Sequence, residues 1–194
     1  EAIAEYATLS EGDKNAVDGL HADTEPLNGD SQLIDRDAMW RSKMHALWII
    51  FKAGRTAERQ SVFDQFKADC GSDLEAYATW CLCYDKWGAP NGEESNWERK
   101  FNRNSPEIAN LRKQYPDTLD FYRWLEWIAA EQLSSAQQAA KDAGMHIGIM
   151  SDMAVGVHPS GADVWWNPER FAKGATVGAP PDMFNQQGQN WSQP

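Results

Sequence analysis

Through Gly144 the apolar residues of this chain recur every three or four positions, and beyond it that rhythm stops. No other feature constrains the fold as much. Side chains at helical spacing share one face of a helix, so the first part of the chain has to bury its stripes by packing helix on helix. The starts and stops are written along it. Ser10 caps a helix expected to reach about His21, and Thr24 to Asp30 reads as a loop. Asp35 opens an amphipathic helix with Trp40, Met44, Leu47, Trp48 and Phe51 on one stripe, stopped by Gly54. Thr56 caps the next, with Val62, Phe63 and Phe66 directed inward and Gly71 at its end. Ser72 and Glu75 have capping-box spacing and open a helix through Leu74, Tyr77, Ala78 and Cys81 to Gly88.

Between Ala89 and Ser105 the composition turns to Pro, Gly, Asn and charge, which reads as a surface excursion. Ser105-Pro106-Glu107 starts a helix with Pro at its first position, where the missing N–H costs nothing. Asp117 opens the longest helix. Phe121, Trp124, Leu125 and Ile128 lie on one side of it, and Gln132, Gln137 and Gln138 continue it to Gly144. Then Met145 to Met150 forms a short apolar run followed by Ser151-Asp152. A long helix, a glycine, a short buried strand and an acid describe one step of a parallel sheet or barrel. In such folds the residues that face ligand sit at the carboxyl ends of strands. Asp152 is therefore either a ligand-facing residue or the cap of the following turn, and the pattern leaves both readings open. Asn167-Pro168-Glu169 opens a further helical turn, Ala175 to Val177 reads as a second short strand, and Gly178 to Asn185 as a stiffened loop with an exposed aromatic. The fold class expected is mainly α with a few short strands.

Charge and motifs exclude several functions. The net charge of −11 without a basic stripe argues against nucleic acid or an anionic membrane surface as partner. The longest apolar run, around Ala46 to Phe51, is too short to span a bilayer, and Glu-Ala-Ile-Ala-Glu lacks the build of a signal peptide. Cys70, Cys81 and Cys83 have no histidine at ligand spacing, so no metal site is expected, and free thiols suit a reducing cytoplasm. Phosphate loops, zinc-protease helices and nucleophile elbows are absent, and no cofactor is implied. His21 and His45 sit in helical patterns, whereas His158 lies in a Gly/Pro-rich loop and is a candidate for ligand contact. What stands out is the final quarter, where Asp152, Trp165, Trp166, Asp182, Phe184, Gln189, Asn190 and Trp191 crowd together. Aromatic rings stack on the apolar faces of pyranose rings, and carboxylates and amides take up paired hydroxyls. Most of the ten tryptophans are nevertheless expected to be core.

The segment Ile147 to Val157, reading Ile-Gly-Ile-Met-Ser-Asp-Met-Ala-Val-Gly-Val, resembles the strand-and-loop segment of amylomaltases, the disproportionating enzymes of glycoside hydrolase family 77. So does Gly161-Ala162-Asp163-Val164-Trp165. Val177 to Asp182, with Gly188-Gln189-Asn190-Trp191, is similar to that family's active-site loop, and Phe121 to Trp127 with Glu131-Gln132 to the helix ahead of the strand. The match is specific from about Asp117 to Pro194; the earlier helices fit the family's helical insertion by order. The resemblance implies a 4-α-glucanotransferase that moves α-1,4-glucan segments between maltodextrins, glucose included among its ligands, by retaining double displacement. It implies a helical insertion over residues 1–116 and part of an incomplete (β/α)8 barrel over 117–194. The family's catalytic carboxylates belong to later motifs, so no residue here receives a catalytic role. By the family pattern Asp152, Asp182, Gln189 and Trp191 bind sugar, and Phe184 is the aromatic of the mobile loop. Relatives often carry a second aromatic at position 183, where this chain has Met183, so the loop offers one ring fewer. The chain starts without methionine and stops in mid-motif at Trp191-Ser192-Gln193-Pro194, whereas a whole barrel takes about 250 residues. An internal piece of a longer chain is expected, inactive alone and prone to self-association through its unpaired strands. The alternatives are a hydrolytic α-glucan-active glycosidase and a non-catalytic helical interaction module.

Overall fold

A computed structural model of the chain describes residues 3–29, 34–90, 95–172 and 174–192. Asp30, residues 91–94 of the expected excursion, and Gln193 and Pro194 lie outside them. The architecture is mainly helical with one two-stranded antiparallel ribbon. The helices are α1 (Glu11–Thr24), α2 (Arg36–Lys52), α3 (Ala57–Trp87), α4 (Trp97–Lys100), α5 (Pro106–Gln114), α6 (Pro116–Asp142) and α7 (Ala162–Trp166), and the strands are β1 (Gly178–Ala179) and β2 (Gln189–Asn190). The chain divides into two compact units, residues 1–66 and 67–194, at a point inside α3.

The caps read from sequence explain the helix starts. The Asp13 N–H donates to Ser10 Oγ at 3.1 Å, the Ala38 N–H to Asp35 Oδ1 at 2.9 Å, and the Arg59 N–H to Thr56 Oγ1 at 3.2 Å. In the first unit α1 and α2 pack together, and Leu9, Ile50, Phe51 and Phe63 are buried. Buried Glu5 is held by the Arg59 Nε–H at 3.0 Å, and the Arg55 guanidinium lies over the Phe51 and Phe63 rings. The stripe of α2 is only partly buried, with Trp40 exposed at one end of it. Val62, expected inside, is exposed as well, while Phe63 beside it is fully buried.

α3 carries a break where sequence placed a helix end. Gly71 sits at φ +51°, ψ −125°, outside helical space, so two helices meet there. The Glu75 carboxylate accepts from Arg112 and, at 2.9 Å, from Arg123 Nη2, tying the second half of α3 to α5 and α6. An S-x-x-E pattern assigns that carboxylate to a cap; two guanidiniums within reach outcompete it.

The second unit is built on tryptophan. Leu82, Cys83 and Ala78 of α3, Trp97 of α4, Ile108 and Leu111 of α5, Leu119 of α6 and Trp165 of α7 form one buried cluster. Trp97 stands at its centre, with ring centroids 5.4 Å from Trp165, 6.2 Å from Trp87 and 6.3 Å from Trp80. The excursion after Gly88 thus folds inward at Trp97, a residue that polar composition conceals. α6 buries Phe121, Trp124, Trp127 and Ile128.

Two strand expectations need correction. Met145–Met150 forms no strand; among the described residues no other strand lies beside it, and Met150 is 87% exposed. An extended segment without a neighbouring chain has no ladder to join. The strand expected over Ala175–Val177 lies slightly later, at Gly178–Ala179, and pairs antiparallel with Gln189–Asn190.

Candidate functional site: an exposed hairpin

Four of the five candidate ligand-binding residues fall in one hairpin. Gly178 pairs with Asn190 and Ala179 with Gln189, and Val177 extends the ladder by accepting from the Trp191 N–H at 2.7 Å and donating to the Ser192 carbonyl at 2.9 Å. A Cβ at Gly178 would collide with the Gln189 carbonyl oxygen, so the close approach of the two strands requires glycine there.

The connecting loop is held by its own side chains. Pro180 and Pro181 stiffen its entry. Asp182 Oδ1 accepts from the N–H groups of Phe184, at 2.8 Å, and Asn185, at 2.7 Å, and the Asp182 N–H donates to the Asn185 carbonyl at 3.0 Å. Asn185 Oδ1 then accepts from the Gln187 N–H at 3.1 Å. These are Asx turns, in which a short polar side chain stands in for a backbone partner. They satisfy the loop's peptide groups locally and leave its one aromatic ring outward: Phe184 is 91% exposed. At the far side, Trp191 Nε1–H donates to Gln189 Oε1 at 3.1 Å, fixing the indole against the carboxamide of the residue two before it on the same face. The Gln189 amide nitrogen and the Trp191 ring, 39% exposed, remain on the surface. The hairpin therefore presents one aromatic at its tip, a second on its strand, and an amide and carboxylate between them. That set suits a neutral, hydroxyl-rich ligand with apolar faces.

Asp152, the fifth candidate, stands exposed on the separate segment that follows Met150. Other residues singled out by sequence have structural work. Trp165 is 7% exposed in the core, its Nε1–H donating to the Phe101 carbonyl at 2.8 Å. The Trp166 carbonyl and Asn167 Oδ1 accept from Arg103 Nη1 at 2.7 and 2.6 Å. His158 Nδ1 accepts from the Ser160 N–H at 3.1 Å and its carbonyl from Gly161, forming the turn that leads into α7. Sequence reasoning missed the part Asp182 and Asn185 play in shaping the loop; their spacing, Asp-x-x-Asn after two prolines, is the signal that carries it.

Groups with displaced proton affinity lie in the helices. Burial pushes the Cys81 and Cys83 thiols up to about 12 and raises Tyr122 and Glu126. Cys81 and Cys83 are buried in α3, Tyr122 and Glu126 are half-buried on α6, and no cluster of metal-binding side chains occurs among the described residues. No described helix is long and apolar enough to cross a membrane.

The family model for 4-alpha-glucanotransferases, glycoside hydrolase family 77, matches residues 5–194. A 4-alpha-glucanotransferase of Mycobacterium tuberculosis is 39% identical over the whole of this chain, and one of Haemophilus influenzae is 28% identical over 85% of it. The chain spans 26% of the length of each of these relatives. In fold it is similar to an amylomaltase from Streptococcus agalactiae solved in complex with acarbose, with a TM-score of 0.71 at 18% identity, covering 92% of this chain and 39% of that one. The helical architecture and the hairpin thus stand within a known lineage, and the chain belongs to the glycoside hydrolase family 77 of 4-alpha-glucanotransferases.

Proposed function

We propose that this chain is the glucan-holding portion of a 4-α-glucanotransferase that transfers α-1,4-glucan segments between maltodextrins. The observation that carries the reading is the family match over residues 5–194, which takes in the exposed hairpin. Phe184 and Trp191 stack on glucose rings; Asp182, Gln189 and Asp152 hold hydroxyl groups. Asp182 has one carboxylate oxygen committed to its loop, so it offers the other. In the complete protein the segment from Asp117 contributes to a (β/α)8 barrel, with residues 1–116 as a helical insertion.

The reaction is double displacement with retention. A carboxylate attacks the anomeric carbon while a second carboxyl group protonates the leaving glycosidic oxygen. An acceptor sugar hydroxyl then gives up its proton to that second group and displaces the enzyme carboxylate. Both groups are assigned to later parts of a full-length chain, so residues 1–194 alone perform no transfer. Burial of ring faces and neutral hydroxyl recognition need no cofactor. The free thiols Cys70, Cys81 and Cys83 support a reducing, cytoplasmic setting. Exposed Ile147, Met150, Met153 and Val155 support self-association of the isolated chain; a light-scattering mass equal to one chain contradicts that part.

Extending the chain to the length of its relatives and incubating it with maltotriose tests the activity. Glucose together with dextrins longer than the substrate is the expected product pattern. Glucose and maltose alone mean hydrolysis, and an unchanged substrate removes the enzymatic reading.

A further inference from the structure

Just past the end of α6, Gly144 at φ +91° reverses the chain. The Gly144 N–H donates to the Lys141 carbonyl at 2.9 Å and the Met145 N–H to the Ala140 carbonyl at 3.1 Å, and residues 147–149 come alongside Gln137 of α6. The Gln137 carboxamide meets them as the peptide of an adjacent strand would. Its Nε2–H donates to the Ile147 carbonyl at 3.1 Å, and its Oε1 accepts from the Ile149 N–H at 2.6 Å. Gly148 lies between these two residues at φ +83°, and a Cβ there would come within 2.5 Å of Gln137 Oε1. The side chain that glycine lacks is the space the carboxamide occupies. Around this contact Met145, Ile147 and Met150 are exposed and gain little from packing.

We propose that Gln137 is a positioning residue for Asp152. Asp152 lies three positions beyond Ile149, and the two hydrogen bonds of the carboxamide fix the backbone from which Asp152 reaches the sugar. The consequence for activity rests on the sugar-binding role given to Asp152 above; the contact itself does not. A carboxamide is the group the geometry needs, because it donates at one end and accepts at the other. A carboxylate keeps the bond from Ile149 and loses the one to Ile147 until it is protonated.

The test uses the chain extended to the family's length, with Gln137→Ala and Gln137→Glu. Alanine is a good helix former, so α6 is retained. Gln137→Ala is expected to speed amide exchange at Ile149 about tenfold, the effect of one lost hydrogen bond on a local opening. It is also expected to raise KM for maltotriose several-fold, with kcat and the unfolding midpoint little changed. Gln137→Glu shows the same KM rise at pH 7, and the rise relative to the unsubstituted protein shrinks below about pH 5, where the carboxyl group begins to donate to Ile147. Gly148→Ala impairs the protein more than Gln137→Ala, and adding Gln137→Ala to it restores part of the loss, a non-additivity that separate contacts would not give. Unchanged Ile149 exchange in Gln137→Ala overturns the contact, and faster exchange with an unchanged KM overturns the positioning role. If the unsubstituted protein transfers no glucan, the functional reading fails instead, and that failure is visible before any variant is made.

Discussion

Ala162–Trp166 and Gly178–Ser192 lie in the same unit, and both carry tryptophan beside polar side chains, yet they are held in opposite ways. Trp165 meets Trp97 edge-on, sends its N–H to the Phe101 carbonyl and is nearly sealed from water. Trp191 sends its N–H to Gln189, a residue of its own strand, and keeps much of its ring exposed. In the first region a distant element satisfies the side chain, so the ring serves the fold. In the second, the loop satisfies itself through Asp182 and Asn185, and the rings are left over. The comparison separates a tryptophan that holds the protein together from one available to a ligand, which composition alone cannot do.

Removing the docked ring is expected to have the largest effect. Trp165→Ala empties a site bounded by Trp97 and Trp166 and should cost about 3–5 kcal/mol in urea unfolding. A loss under about 1 kcal/mol would dissolve the distinction. Next in size is an alkaline response from the same packed side. Burial pushes the Cys81 and Cys83 thiols up from the ordinary 9.0 to about 12. Between those values the unfolded chain has released protons that the folded chain still binds, so stability falls as pH rises from 9 toward 12. Cys83→Ala should make that fall shallower in denaturation midpoints taken across the range, and an identical slope would place its origin elsewhere. The smallest change in stability belongs to the hairpin: Phe184→Ala should change the unfolding free energy by less than about 0.5 kcal/mol, since the ring touches mostly water. A larger shift would mean that the loop is not self-supporting.

Much of this arrangement was legible in the residues. Ser10, Asp35 and Thr56 cap helices where their side chains predict, because a cap is decided within four residues. Gly71 announces an interruption for the same local reason. Trp97 was concealed because its burial depends on Trp80, Trp87 and Trp165, which come together only in the folded chain. Glu75 misled for a related reason: its arginine partners stand 37 and 48 residues away. The apolar run from Met145 signalled a strand, and its backbone found a glutamine side chain in place of a neighbouring strand. In the candidate site, residue types were readable and the internal bonding of the loop was not, since Asp182 looks the same in sequence whether it faces a sugar or the two peptide groups after it.

The most direct test of the division between docked and presented aromatics is Trp191→Ala in the chain extended to family length, read by maltotriose transfer and urea unfolding on the same sample. The expected result is an unfolding midpoint close to that of the unsubstituted protein and a KM raised about tenfold, the upper range of one lost aromatic contact. An unchanged KM, or a KM change that merely follows a collapse in stability, would contradict it.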